Sequence, residues 1–190
     1  MLPISKRITT KKQLKEVLEI ERARYAVPLS WLRDFVCLTS QDILRKHSYL
    51  LRVAEYHTNA KHLIRSLFYK IRLRRLQTKY GIYIPLNTCE KGLWIAHLAP
   101  VFINPNCEIG PDVYLYPFCG AVAKGFSNEA PKLGKGVVLC MGSVIIGGIT
   151  IADDVVVGAN AVVTKNITEK NISVAGAPAQ KITGYGREHW

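Results

Sequence analysis

An aliphatic residue returns at every sixth position between residues 103 and 168, and this repeat dominates the chain. The positions fall into two phases separated by an interruption: Ile103, Ile109, Leu115 and Ala121, then Leu133, Leu139, Ile145, Ile151, Val157 and Val163. Four residues further on in most repeats comes a second small or apolar row: Cys107, Val113, Cys119, Val137, Ser143, Ile149, Val155, Ala161 and Ile167. Because an α-helix repeats about every 3.6 residues and a strand about every 2, a sustained repeat of six predicts a solenoid of short strands.

Turn-forming residues separate the strands of this solenoid, as in Gly110-Pro111-Asp112 and Gly134-Lys135-Gly136. Such residues form tight or left-handed corners, and flat faces between corners predict a three-sided parallel β-helix of about 18 residues per coil. We assign the β-helix to residues 81–182 and a C-terminal tail to residues 183–190. The interruption at residues 122–132 predicts a protruding loop, and such loops commonly cover functional sites.

Residues 1–80 predict an α-helical segment ahead of the solenoid. A first helix is expected to be capped by the hydroxyl groups of Thr9 and Thr10 and to end before Pro28. A second covers residues 31–36, and a third begins at a cap on Ser40. The fold class is therefore an all-β parallel β-helix with an α-helical N-terminal segment.

The charge of the chain is concentrated in this first segment. Residues 1–80 hold 18 Lys and Arg against 6 Asp and Glu, whereas residues 81–190 hold 8 of each. This asymmetry indicates an anionic partner; nucleic acid is not expected, because no recognition motif or aromatic stacking platform accompanies the charge. Residues 59–80 form a predicted basic amphipathic helix that fits a peripheral contact with an anionic membrane or a lipid-linked acceptor. The plainer alternative is a helix packed within a trimer, with solvated Lys and Arg.

The hydropathy of the chain and its cysteines limit the expected location of the protein and the kinds of site it can carry. No apolar stretch approaches the roughly 20 residues of a membrane-spanning helix, and the start of the chain lacks the apolar core of a signal peptide, so a cytoplasmic protein is expected. Five cysteines without CxxC spacing imply neither a disulfide framework nor a structural zinc site. Cys107 and Cys119 fall in the second buried row, which favours small core residues over a catalytic thiol.

The closing repeats resemble a known family. Residues 157–165, VGANAVVTK, followed by residues 175–179, AGAPA, resemble the signature of hexapeptide-repeat acyltransferases. Across residues 82–182 the chain is similar to serine acetyltransferases and to the related O-acetyltransferases of bacterial polysaccharide loci, and its basic leader resembles the polysaccharide type. The resemblance implies a left-handed helix, a homotrimer, and acetyl-CoA bound between adjacent subunits; no metal ion is expected.

The resemblance also places candidate residues. His97, the only histidine inside the solenoid, falls on the family's catalytic base; a neutral imidazole can accept a hydroxyl proton during attack on a thioester. Acetyl-CoA contacts are implied at Met141, Gly142, Ala159, Thr164 and Lys165. We add Lys181 as a phosphate partner, and the Gly120 backbone as a donor to the developing oxyanion.

Four departures from the serine acetyltransferase pattern bear on the acceptor. Ala96 replaces an aspartate before the histidine, Glu129-Ala130 replaces an Arg-His pair, and Ile82 aligns with an acidic residue. Because a serine zwitterion would be poorly paired without those charges, we expect a sugar of a bacterial surface polysaccharide or its precursor. Asn87, Asn104 and Tyr116 are the candidate sugar contacts.

Other functions stay open on the sequence. The first alternative is serine O-acetylation in cysteine biosynthesis, followed by N-acetylation of an amino sugar. A non-catalytic or metal-binding trimeric solenoid is the alternative from a different class, although one solenoid histidine per chain makes a metal site at a trimer interface difficult to build.

Overall fold

This computed structural model describes residues 1–25 and 39–189, in which a helical layer covers one end of a column of short parallel strands. The second predicted helix, residues 31–36, lies outside the described residues. The helices are α1 (Lys11–Arg22), α2 (Ser40–Asn59) and α3 (Leu63–Tyr80), with short 3-10 turns at Ile4–Lys6 and Arg187–His189. None of the described helices carries an apolar stretch long enough to cross a bilayer.

The helix ends differ in detail from the sequence prediction. Of the two threonines predicted to cap α1, Thr10 is the N-cap, in a capping box with Gln13. The cap of α2 is Thr39 rather than Ser40, because Thr39 has the extended backbone of an N-cap and its side chain accepts a hydrogen bond from the Asp42 backbone. The predicted helix over 59–80 begins instead at Leu63, since α2 continues to Asn59 and Lys61 adopts a left-handed conformation that ends it.

The strands form three faces of a parallel β-helix. The first face holds β1 (Ile82–Tyr83), β3 (Val101–Ile103), β6 (Gly120–Val122), β9 (Val144–Ile146) and β12 (Val162–Val163). The second face holds β4 (Glu108–Ile109), β7 (Lys132–Leu133) and β10 (Thr150–Ile151). The third face holds β2 (Trp94–Ile95), β5 (Tyr114–Leu115), β8 (Val138–Leu139), β11 (Val156–Val157), β13 (Ser173–Ala175) and β14 (Gln180–Thr183). Only β14 pairs in an antiparallel sense among these strands of the described chain.

The register of the strands reproduces the repeat in the sequence. Val144 pairs with Val162, one coil and 18 residues later, whereas Gly120 pairs with Val144 across 24 residues. The six additional residues leave the column between β6 and β7 as a loop. Every residue of the first hexad row is buried, so the core is a stack of aliphatic side chains along the axis.

A buried ionic cluster attaches the helices to the first coil. The Arg52 guanidinium, on α2, lies 2.7 Å from Glu21 of α1 and 2.8 Å from Glu55. It also donates to the backbone carbonyls of Cys89 and Glu90, each in the first coil. Burial raises the pKa of Glu55, which shares this single cation with Glu21. We call Arg52, Glu21 and Glu55 the junction cluster.

Candidate active site

His97 stands at a corner of the solenoid, where the first coil passes from the third face to the first. The side chain of Ile95 turns into the core and that of His97 is exposed. The His97 ring packs in an edge-to-face manner with the ring of Tyr116 in the next coil, with ring centroids 6.4 Å apart. Among the described residues His97 has no other ring contact, hydrogen bond or ion pair, so its nitrogens are available to a ligand.

The same corner of successive coils brings several predicted residues into one row. Backbone hydrogen bonds join the corners: Phe118 donates to Pro100 at 2.7 Å, Gly142 to Pro117 at 2.9 Å, and Asn160 to Met141 at 2.9 Å. We call this row the His97 edge. It carries five of the eleven predicted site residues: His97, Tyr116, Met141, Gly142 and Ala159.

The geometry of the coil requires a glycine at position 142. Its φ is +70°, and a Cβ placed there would lie 2.2 Å from the Asn160 side-chain oxygen. Any side chain would therefore collide with the next corner, whether or not a cofactor runs past it. Met141 and Ala159, by contrast, are exposed on the His97 edge. Contact of these residues with acetyl-CoA stays a prediction.

The backbone N–H of Gly120, predicted to donate to the developing oxyanion, already has a partner in the folded chain. The Gly120 backbone N–H donates to the carbonyl of Ser143 at 2.9 Å, as part of the ladder of the first face. A donor already engaged in a parallel sheet is not free for a developing oxyanion. The glycine instead provides a buried position on the first face.

A second corner, between the first and second faces, carries other predicted residues. Thr164 and Lys165 line a cavity of about 290 Å³ together with Lys181 at the C-terminal end of the column. The Lys181 ammonium is paired with Glu169 at 2.5 Å. Lys165 is exposed and forms no ion pair within the described residues, which makes it the freer of the two cations.

The two asparagines predicted to contact an acceptor lie at this second corner too. Asn104 is half-buried, and its side-chain oxygen accepts from the backbone of Asn106. Asn87 is buried, exchanges hydrogen bonds with Asn59, and donates its backbone N–H to Glu55. The predicted acceptor contact of Asn87 is therefore not supported, because its amide is already occupied at the junction with α2.

The structure adds residues that sequence reasoning missed. Trp94 lies 4.8 Å from Tyr114 and 6.1 Å from Tyr116 between ring centroids, which extends the aromatic row beside His97. The guanidinium groups of Arg24 and Arg187 both lie over the Tyr114 ring, 5.2 and 4.1 Å from its centroid. Trp94 and Tyr114 share a register position one coil apart, a signal present in the repeat. Arg24 and Arg187 lie outside the repeat, so the spacing of the repeat does not predict their contact with Tyr114.

Burial disfavours a thiol nucleophile among the described cysteines. Cys89, Cys107, Cys119 and Cys140 are all buried and free. Desolvation raises the pKa of the first three to about 12 and that of Cys140 to about 11. A thiol that stays protonated at neutral pH is a poor nucleophile. Cys37 lies outside the described residues.

Comparison with known proteins shows which protein family the chain belongs to. The family model for bacterial transferase hexapeptide (six repeats) matches residues 130–165. A serine acetyltransferase of Staphylococcus epidermidis strain RP62A is 32% identical over 180 residues, which cover 88% of this chain and 81% of the relative. The chain therefore belongs to the serine acetyltransferase family of hexapeptide transferases.

Further comparisons agree in fold. A serine acetyltransferase of Helicobacter pylori strain J99 is 39% identical over 95 residues, 49% of this chain and 55% of the relative, so the match spans about half of that relative's length. The crystal structure of a serine acetyltransferase from Brucella abortus strain S19 superposes with a TM-score of 0.68 at 20% identity, covering 93% of this chain and 71% of that one. The predicted left-handed β-helix with a helical N-terminal segment is confirmed.

The relatives overturn the expected sugar acceptor and the assignment to polysaccharide biosynthesis, because they are serine acetyltransferases. The physical reason lies in the positions used for that inference. Ala96, Ala130 and Ile82 are all buried in this structure. Apolar residues at buried positions are explained by packing, and they do not report on the chemistry of an acceptor. Only Glu129 of the four is exposed.

Proposed function

We propose that this protein is an acetyl-CoA-dependent serine O-acetyltransferase in which His97 is the general base. The observation that carries the proposal is the placement of His97, an exposed imidazole on a corner of the coil whose nitrogens have no partner among the described residues. The chain around it is 32% identical to a serine acetyltransferase over 88% of its length.

The residues present suit acetyl-CoA as the acyl donor. The His97 edge exposes Met141 and Ala159, which leave room for a narrow chain against the backbone. Lys165, which forms no ion pair with any described residue, offers its ammonium to phosphate, whereas Lys181 would have to leave Glu169 first. Bound there, acetyl-CoA would supply a thioester, an acyl group already activated for transfer.

The chemistry required of the chain is a proton shuttle at one imidazole. A ring nitrogen of neutral His97 accepts the proton of the serine hydroxyl while the hydroxyl oxygen bonds to the acyl carbon. When the carbon–sulfur bond breaks, the imidazolium returns that proton to the sulfur, so the enzyme ends the cycle unchanged. The acceptor never has to exist as a free alkoxide. The ring of Tyr116 lies beside the imidazole, with 6.4 Å between the ring centroids.

The proposal includes a homotrimer assembled through the first face. Tyr83 and Phe102 are about half exposed there and stack with ring centroids 5.1 Å apart. Val144 and Val162 continue this apolar row along the column, each half-buried in the single chain. An apolar strip on a solenoid face favours contact with further copies. In such an assembly the His97 edge of one copy and the Lys165 corner of another could complete one site.

The direct test is turnover with purified full-length protein. Acetyl-CoA and L-serine are expected to give free thiol and O-acetylserine. A thiol reagent measures the first product, and mass spectrometry identifies the second. His97→Ala should lower kcat by about 10²–10⁴-fold because the general base is lost. His189→Ala, which removes an exposed histidine of the tail, is the matched control.

Two results would count against the proposal. Release of thiol no faster with serine than with buffer would exclude serine as the acceptor. Full turnover by His97→Ala, with the same melting temperature as the parent, would exclude the imidazole as the base.

A further inference from the structure

The outward surface of α3 carries a continuous apolar patch. Five large side chains on the first half of the helix are each between 45% and 86% exposed. Their spacing of one, four, five and eight residues from the first places them on one side of an α-helix. We call this group the α3 patch: Leu63, Ile64, Leu67, Phe68 and Ile71.

The opposite side of α3 fixes this orientation. Ser66 and Leu73 are buried, and Tyr69, Leu76 and Tyr80 pack against the main core of the protein. Ser66 also shares a hydrogen bond with Thr58 of α2 at 2.9 Å. The helix cannot turn its patch inwards without losing these contacts, so the patch faces out from the chain as folded.

Only cations accompany the patch on this helix. α3 has six basic residues and no acidic one in 18 positions. None of the six forms an ion pair within the described residues, and Arg72 extends over the ring of Phe68 at 5.4 Å. The basic residues are Arg65, Lys70, Arg72, Arg74, Arg75 and Lys79. Lys70, Arg65 and Arg72 border the patch, while the other three occupy the outward side of the second half of the helix.

We propose that α3 lies on the surface of an anionic lipid bilayer, with its patch in the interface and its cations at the lipid phosphates. An amphipathic helix of this kind buries its apolar side at the headgroup boundary, and each Lys or Arg adds attraction to anionic lipid. The helix is about 27 Å long, so it can lie along the membrane plane. The proposal is independent of the acceptor and of the catalytic role of His97.

Charge favours a membrane over a second copy of the chain at this surface. Two α3 helices in a symmetric contact would place their uncompensated cations close together, and like charges across an interface oppose association. An anionic bilayer satisfies the apolar patch and the cations at once. The occupant argued for is therefore lipid, and self-association is the outcome that would exclude it.

Vesicle flotation tests the proposal with the full chain. Vesicles of phosphatidylcholine containing about 30% phosphatidylglycerol are expected to bind about tenfold more protein than vesicles of phosphatidylcholine alone, and high salt should remove most of the difference. Leu67→Ser/Phe68→Ser should abolish binding by removing the centre of the patch. Arg75→Gln/Lys79→Gln should weaken it only on anionic vesicles.

Controls separate membrane contact from misfolding. Ile4→Ser changes a similarly exposed apolar residue outside α3 and should bind as the parent does. Serine-dependent turnover and molar mass in solution should be the same for all variants, because the altered side chains point away from the core. Equal binding to neutral and anionic vesicles, or no binding to either, would overturn the proposal. So would a fall in molar mass for Leu67→Ser/Phe68→Ser, since a second copy would then cover the patch.

Discussion

The junction cluster attaches the helices to the first coil, and the His97 edge begins in that same coil. The two regions differ in how their polar groups are paired. At the junction, Arg52 is buried and its guanidinium donates to two carboxylates and two carbonyls. On the edge, His97 is exposed with no hydrogen bond in the described chain. A buried charge must be satisfied by the protein itself, whereas a base that acts on a substrate must keep a nitrogen free. Polar residues that stabilise the fold are therefore fully paired within the chain, whereas a polar residue that acts on a substrate keeps an unpaired atom at the surface.

The largest expected effect on stability comes from breaking the junction. Arg52→Met would leave the carboxylates of Glu21 and Glu55 buried without a cation, at a cost of about 3–5 kcal/mol in the free energy of unfolding. Urea denaturation of the parent and variant measures it. Arg72→Met, an exposed arginine of α3, is the control and should cost little. If Arg52→Met were as stable as the parent, the ion pairs of the junction cluster would not stabilise the attachment of the helices to the first coil.

A triple variant sharpens that result. Replacing Arg52, Glu21 and Glu55 together by apolar residues removes the unpaired charges as well, and much of the lost stability should return. Persistent instability of the triple variant would show that the hydrogen bonds of these side chains, from Arg52 to Cys89 and Glu90 and from Asn87 to Glu55, contribute more than the ion pairs.

The next effect depends on pH and tests another buried polar group beside the junction. Burial lowers the pKa of His47 to about 3, with a smaller contribution from Arg52. The folded state therefore prefers neutral His47, so its contribution to stability is complete above about pH 6.5 and is lost as the pH falls towards 3. Between pH 6.5 and 4.5 the parent should lose roughly 2–3 kcal/mol more than His47→Gln. Urea titrations at both pH values measure this difference.

His189→Gln serves as the control for this pH test, since that histidine is exposed in the tail. It should follow the parent at both pH values. Parallel losses in the parent and His47→Gln would contradict the assignment of a buried neutral imidazole.

The smallest effect concerns the two lysines of the C-terminal cavity. Lys165→Gln should raise the KM for acetyl-CoA by about tenfold with little change in kcat, because a charged contact to phosphate is lost in ground and transition state alike. Lys181→Gln is the matched variant and should change KM less, since Glu169 already holds its ammonium. Steady-state kinetics at fixed serine measure both. Equal effects, or a larger one at Lys181, would reverse the assignment.

Helix ends and site details show where local patterns stop being sufficient. Thr39 and Ser40 are both good caps, and only the geometry of the chain selects Thr39. Asn87 has the chemistry of a sugar contact, yet its amide is taken by Asn59, 28 residues earlier. Gly120 has a backbone N–H that the sequence leaves unassigned, and in the structure this N–H donates to Ser143 in the strand ladder. In each case the deciding partner comes from another coil or helix.

The sequence by itself determined the solenoid, its 18-residue coil, the position of the insertion and the single histidine within the repeat. It could do so because each coil repeats the same local demands, an aliphatic residue inside and a turn former at the corner. Only the tertiary structure decided which polar residues are free. The pairing of Arg52 with Glu21, the occupation of Asn87 and the burial of Ala96 and Ala130 depend on segments distant in the chain. A hydrogen bond needs two partners, and the repeat specifies only one of them.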